Sequence, residues 1–89
     1  MDQNRGRKKP KRLAEKLLAI RSKLEVSQSQ LASLLGLDKG SARISEFERG
    51  IREPNLMTLL KLSKLASISL EVLADDHLEL KFPRGWKKP

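Results

Sequence analysis

The sequence predicts an all-α fold of five short helices, and three observations carry that prediction. Leucine and other aliphatic residues recur three and four residues apart in successive short stretches, the spacing that lines one face of a helix. Ser27, Asn55 and Ser69 each stand just before such a stretch, where a side-chain oxygen can accept from the free N–H groups of a first helical turn. Gly36, Gly50 and Pro54 punctuate the stretches at points where a helix has to stop. A chain of 89 residues without cysteine has no disulfide or thiolate metal site to lean on, so aliphatic packing must hold it.

Residues 1–10 are polar, basic and aperiodic, and are expected to form a disordered arm. Such an arm either tracks a phosphate backbone or minor groove, or serves as a solvated tail. The folded domain is expected over residues 11–74. Its first helix spans residues 11–24, where Leu13, Leu17, Ile20 and Leu24 share one face. Ser27 caps a second helix with Leu31, Ala32, Leu34 and Leu35 as its apolar stripe, and Gly36 ends it. A third short helix turns Ile44 and Phe47 inward and ends at Gly50. Two short helices joined by a brief turn make a helix-turn-helix skeleton. Asn55 caps a fourth helix over residues 56–66, with Leu56, Leu59, Leu60, Leu62 and Leu65 as a broad apolar face. Ser69 caps a last one over residues 70–73.

Residues 75–89 form a tail. Leu78, Leu80 and Phe82 alternate with Glu79 and Lys81, a short strand pattern. A lone strand needs a partner, so it either adds an edge strand to a second chain, making a dimer, or lies back on the domain. Trp86 stands among Arg84, Lys87 and Lys88, placed to stack on a base or to pack on protein. From Arg84 onward a mobile tail is expected, and His77 is read as a surface residue.

The net charge of +8 is not evenly spread. The first twelve residues carry +5 and the last nine +4, which leaves residues 13–80 at −1. The tails are therefore expected to supply much of the attraction to a polyanion. Enzymatic chemistry finds little to work with. There is one histidine, no glycine-rich phosphate loop and no acidic pair besides Asp75-Asp76, which reads as the end of the domain. No cofactor or metal is expected. No apolar run approaches membrane-spanning length and no signal-peptide core follows Met1, so a cytoplasmic protein without membrane contact is expected.

Ser27-Gln28-x-x-Leu31-Ala32-x-x-Leu35-Gly36, then Ile44-Ser45-x-x-Glu48-Arg49-Gly50, then Pro54 and a leucine-rich helix, resembles the Cro/C1 (Xre-type) repressors. The resemblance spans residues 13–73 and implies a compact, five-helix, lambda-repressor-like DNA-binding domain. Seven residues separate Gly36 from Ile44, about two more than the family's spacing, so Asp38, Gly40 and Ser41 compete as the cap of the third helix. The resemblance implies that this helix, around residues 41–49, reads bases in the major groove through Ser41, Ala42, Ser45 and Glu46, with Arg43 beside them. Their chemistry suits the task. Serine donates or accepts, alanine meets a thymine methyl, glutamate accepts from cytosine N4, and the guanidinium fork of Arg43 matches guanine or phosphate. Glu46 has a second reading, as a helical partner for Arg43 or Arg49.

The resemblance further implies that Gln28 meets the DNA backbone while bracing the third helix, and that the connection carrying Arg52 and Asn55 faces phosphate. Lys39 and Arg49 are further phosphate candidates. It also implies an ion pair between Arg21 and Glu48 that ties the first helix to the third and reads no bases. The expected function is a sequence-specific regulator that binds double-stranded DNA, a repressor, working as a homodimer. The competing expectation is a helix-turn-helix used to bind another protein, such as an antitoxin-like partner.

Overall fold

The computed structural model describes residues 10–89, so the arm expected over residues 1–10 lies almost wholly outside the described residues. Five helices follow in order: α1 (Leu13–Leu24), α2 (Gln28–Leu35), α3 (Ser41–Glu48), α4 (Leu56–Ala66) and α5 (Leu70–Ala74). Helices α1 and α2 both pack on α3, α4 lies against α2 and α5, and α5 closes back on α1. The core between them is aliphatic apart from Phe47. Ile20, Ile44, Leu62 and Leu73 are fully buried at its centre.

Local chemistry accounts for most helix ends. Ser27 Oγ accepts from the Gln30 N–H at 3.0 Å while Gln30 Oε1 accepts from the Ser27 N–H at 2.8 Å, a reciprocal box that starts α2. Asn55 Oδ1 accepts from Thr58 N at 2.8 Å to start α4, and Ser69 Oγ accepts from Val72 N at 3.2 Å to start α5. The cap of α3 is Gly40, at φ 62° and ψ −145°. That backbone region is open essentially only to glycine, and it lets a compact turn over residues 37–40 absorb the added length before Ser41. The register of α3 is thereby fixed with Ser41 as its first residue.

Helix α1 begins at Leu13 rather than at Lys11, and its cap comes from the far end of the chain. Asp76 accepts from the backbone N–H of Lys11 at 2.8 Å and of Arg12 at 3.0 Å. A carboxylate there also meets the positive end of the helix dipole. These two bonds hold the Asp76 carboxyl below its ordinary value. Arg12 completes the knot, donating to the Asp76 carbonyl at 3.2 Å and pairing with Glu79 at 2.7 Å. The Asp75-Asp76 pair therefore joins the two ends of the fold instead of marking where it stops.

Lys16 is 2% exposed, on the same α1 face as Leu13, Leu17 and Ile20. Its Nζ donates to the Val72 carbonyl at 2.7 Å and the Asp75 carbonyl at 2.9 Å, both at the end of α5. A buried ammonium is tolerable only with partners of this kind.

Three expectations about packing are corrected. Leu34 and Leu56, assigned to apolar faces, are 55% and 65% exposed. Each sits beyond the edge of its stripe, whose buried positions are Leu31, Ala32 and Leu35 in α2 and Leu62 and Ala66 in α4. No strand forms in the tail among the described residues. The alternation is nevertheless real as burial: Leu78, Leu80 and Phe82 are half-buried while Glu79 and Lys81 are exposed. Nor is the segment after Arg84 loose. Trp86 packs on the core and donates from its indole N–H to the Ala66 carbonyl at 2.6 Å, and Lys88 pairs with Glu25 at 2.6 Å.

Candidate nucleic-acid interface

Helix α3 packs on α1 and α2 through one face. Only Ile44 and Phe47 of its length are buried, and full burial of such side chains contributes roughly 1.5–3 kcal/mol each. The rest of its attachment is polar and lies at one end. Arg21 Nε and Nη2 donate to Glu48 Oε2 and Oε1 at 2.6 and 3.1 Å, a two-pronged pair from α1. Arg21 Nη1 donates to the Val26 carbonyl at 3.1 Å, and Gln28 Nε2 donates to Glu48 Oε1 at 3.0 Å. One carboxylate, 7% exposed, thus gathers α1, α2 and α3. The hydrogen bonds that Arg21 donates to Glu48 keep its guanidinium even more firmly protonated than usual.

Gln28 is consequently spoken for on one amide hydrogen. Its carbonyl oxygen cannot meet phosphate, which offers only acceptors, so a backbone contact falls to the second amide hydrogen or to the N–H groups at the start of α2.

The outer face of α3 carries Ser41, Ala42, Arg43, Ser45, Glu46 and Arg49, all half-buried or exposed. Its polar groups are cross-linked. Glu46 faces Arg43 at 3.5 Å and Arg52 at 3.2 Å, and Arg49 Nε donates to Ser45 Oγ at 3.2 Å. Glu46 is thus a helical partner of Arg43, and it stands on the outward face. Arg43, Arg49 and Arg52 outnumber Glu46 there, so the face is positive although residues 13–80 as a whole are not.

Next to this face an open groove of about 390 Å³ runs between the α2–α3 turn and the start of α4. Lys39, Arg43, Asn55 and Lys61 line it. The Oδ1 of Asn55 serves Thr58, which leaves its amide hydrogens as donors. Lys61 was not among the sequence candidates. Its Nζ donates to the Leu35 carbonyl at 3.4 Å at the end of α2, a placement that depends on how α4 docks on α2 and leaves no mark in local spacing. Arg52 is exposed in the connection to α4.

The family model described as "Helix-turn-helix" matches residues 17–73. The chain belongs to the Cro/C1-type helix-turn-helix family. In this Cro/C1-type chain the match includes α2, α3 and the Glu48 clamp, and it stops within α5. Among solved structures the chain is similar to the P22 c2 repressor, crystallised in complex with synthetic operator 9T in the presence of Tl+. The two are 34% identical with a TM-score of 0.65, over 72% of this chain and 94% of the repressor chain. No curated protein matches. Among the described residues there is no cluster of side chains that could hold a metal ion, and no helix is long and apolar enough to cross a membrane.

Proposed function

We propose that this chain is a sequence-specific, double-stranded DNA-binding transcriptional repressor of the cytoplasm that lays α3 in the major groove. One observation carries the reading. Helix α3 is fastened by Ile44, Phe47 and the Glu48 clamp, so the residues on its other side take little part in holding the fold and are free to meet a ligand. The similarity to a repressor crystallised on an operator supports the same conclusion.

In this reading Arg43, with Ser41, Ala42, Ser45 and Glu46, meets base edges. The 3.5 Å pair with Glu46 is long enough to loosen as the Arg43 fork turns to guanine O6 and N7. Gln28, Lys39, Arg49, Arg52 and Asn55 meet phosphates on either side. Arg21 stays behind the clamp. The chemistry is recognition, with no catalytic step and no cofactor.

A second copy of the chain belongs to the proposal. Ile51, Leu56 and Met57 are each at least 60% exposed within seven residues of one another, directly after α3. Burying them between two copies would set two α3 helices against successive major grooves. Selection from random duplexes, followed by sequencing, tests the whole. The expected product is a palindrome with half-sites about 34–36 Å apart. Arg43→Ala is then expected to weaken the selected duplex by about 1–3 kcal/mol and random duplex much less. Equal weakening on both would remove Arg43 as a base reader, and a selection that enriches nothing would remove the function.

A further inference from the structure

The family match ends at residue 73, and the reading above makes no use of the chain beyond it. That remainder is built onto the domain. Phe82 and Trp86 meet edge to face at 5.0 Å, and the Lys23 ammonium of α1 sits 5.4 and 5.8 Å from their ring centres. The Trp86 N–H is tied to the last carbonyl of α4, and Gly85, at φ 83°, makes the turn that brings the indole round. Lys88 then reaches Glu25. Glu25 ends α1 and lies two residues before Ser27, the cap of α2. The chain end is thereby fixed beside the start of α2, the helix that in a helix-turn-helix crosses the DNA backbone.

Residues 81–89 hold four bases and no acid, and Arg84 and Lys87 are exposed. A loose basic tail would have to be ordered on binding, at an entropic cost that an already seated one avoids. We infer that residues 81–89 are a second, prefixed phosphate-binding strip. Arg84 and Lys87 contact the duplex backbone outside the base-read site, while Trp86 holds them in place. The strip adds affinity without sequence preference, and it rests on the duplex-DNA reading above.

The test compares the unaltered chain with Arg84→Gln/Lys87→Gln, on the selected operator with and without flanking base pairs, over a range of salt. Each lost phosphate contact makes the plot of log affinity against log salt shallower by about 0.9, so the variant's slope is expected to drop by about 1–2. The drop is expected on operator and random duplexes alike, with an unchanged melting temperature, and it is expected to vanish when the flanks are trimmed. An equal slope for the two chains on flanked duplex overturns the strip, and so does a difference that survives trimming. Failure of the unaltered chain to bind any duplex overturns the DNA reading itself and the strip with it. Binding with equal slopes overturns the strip alone.

Discussion

Arg21→Met isolates the polar clamp that joins α1, α2 and α3. Methionine keeps the aliphatic length of the arginine and removes three hydrogen bonds, two to Glu48 and one to the Val26 carbonyl. It leaves Glu48, 7% exposed, with Gln28 as its remaining partner at 3.0 Å. Removing one partner of a buried pair costs about 3–5 kcal/mol. Arg21 is 20% exposed and Gln28 still donates, so the lower end applies, about 3 kcal/mol. For a domain of this size that loss lowers the melting temperature by about 12–24 °C. Glu48→Gln should cost about 2 kcal/mol, because it weakens charged hydrogen bonds but strands only the more exposed partner. The double variant should lose at least about 1 kcal/mol less than the two singles summed, since neither is then facing an empty partner. Thermal unfolding followed by helical circular dichroism reads all four corners. A loss under about 1 kcal/mol for Arg21→Met, the range of an exposed pair, would refute the argument, and so would strict additivity. Below its melting temperature Arg21→Met should keep the unaltered ratio of operator to random-duplex affinity.

Other perturbations probe separate joints of the fold. Gly40→Ala meets nothing within 4 Å, yet it forces a Cβ onto φ 62° and ψ −145°, so a loss of about 1–3 kcal/mol is expected from backbone strain alone. An unchanged melting temperature would show that the α2–α3 turn is not held as described. Lys16→Met keeps the volume but strands the Val72 carbonyl, while the Asp75 carbonyl still accepts from the Leu78 N–H, for an expected loss of about 1–3 kcal/mol measured by urea unfolding; a gain in stability would mean that the Val72 carbonyl finds another partner. Asp76 has its carboxyl lowered in the folded state by the Lys11 and Arg12 N–H groups, so its stabilising contribution is present above the unfolded value, near 4, and is lost as pH falls through the folded value. Asp76→Asn should therefore flatten the fall in melting temperature on acidification, and an identical acid limb would rule that carboxylate out as its source.

Much of this protein was legible because it is local. Caps at Ser27, Asn55 and Ser69 act over three residues, and the stripes of α1 and α5 record which way each helix turns its side chains. The pattern of alternating burial after residue 77 was equally legible, but alternation reports which side is covered and carries no information about hydrogen-bonding partners. The Arg21–Glu48 pair came from the family motif, since neither residue's spacing singles it out. Competition among Asp38, Gly40 and Ser41 could not be settled locally either, because the turn that makes Gly40 the cap depends on where Ile44 must land in the core.

The sequence by itself determined five amphipathic segments, their order, their breaks, and the outward face of the third. Only the tertiary structure decided the joints between distant parts. Lys16 finds carbonyls 56 and 59 residues away, Asp76 caps a helix 64 and 65 residues before it, and Trp86 closes the end of α4. A free helix end states that it needs a partner, but any lysine, aspartate or tryptophan could answer. Which one does is fixed when the aliphatic stripes pack and bring a single candidate within hydrogen-bonding distance.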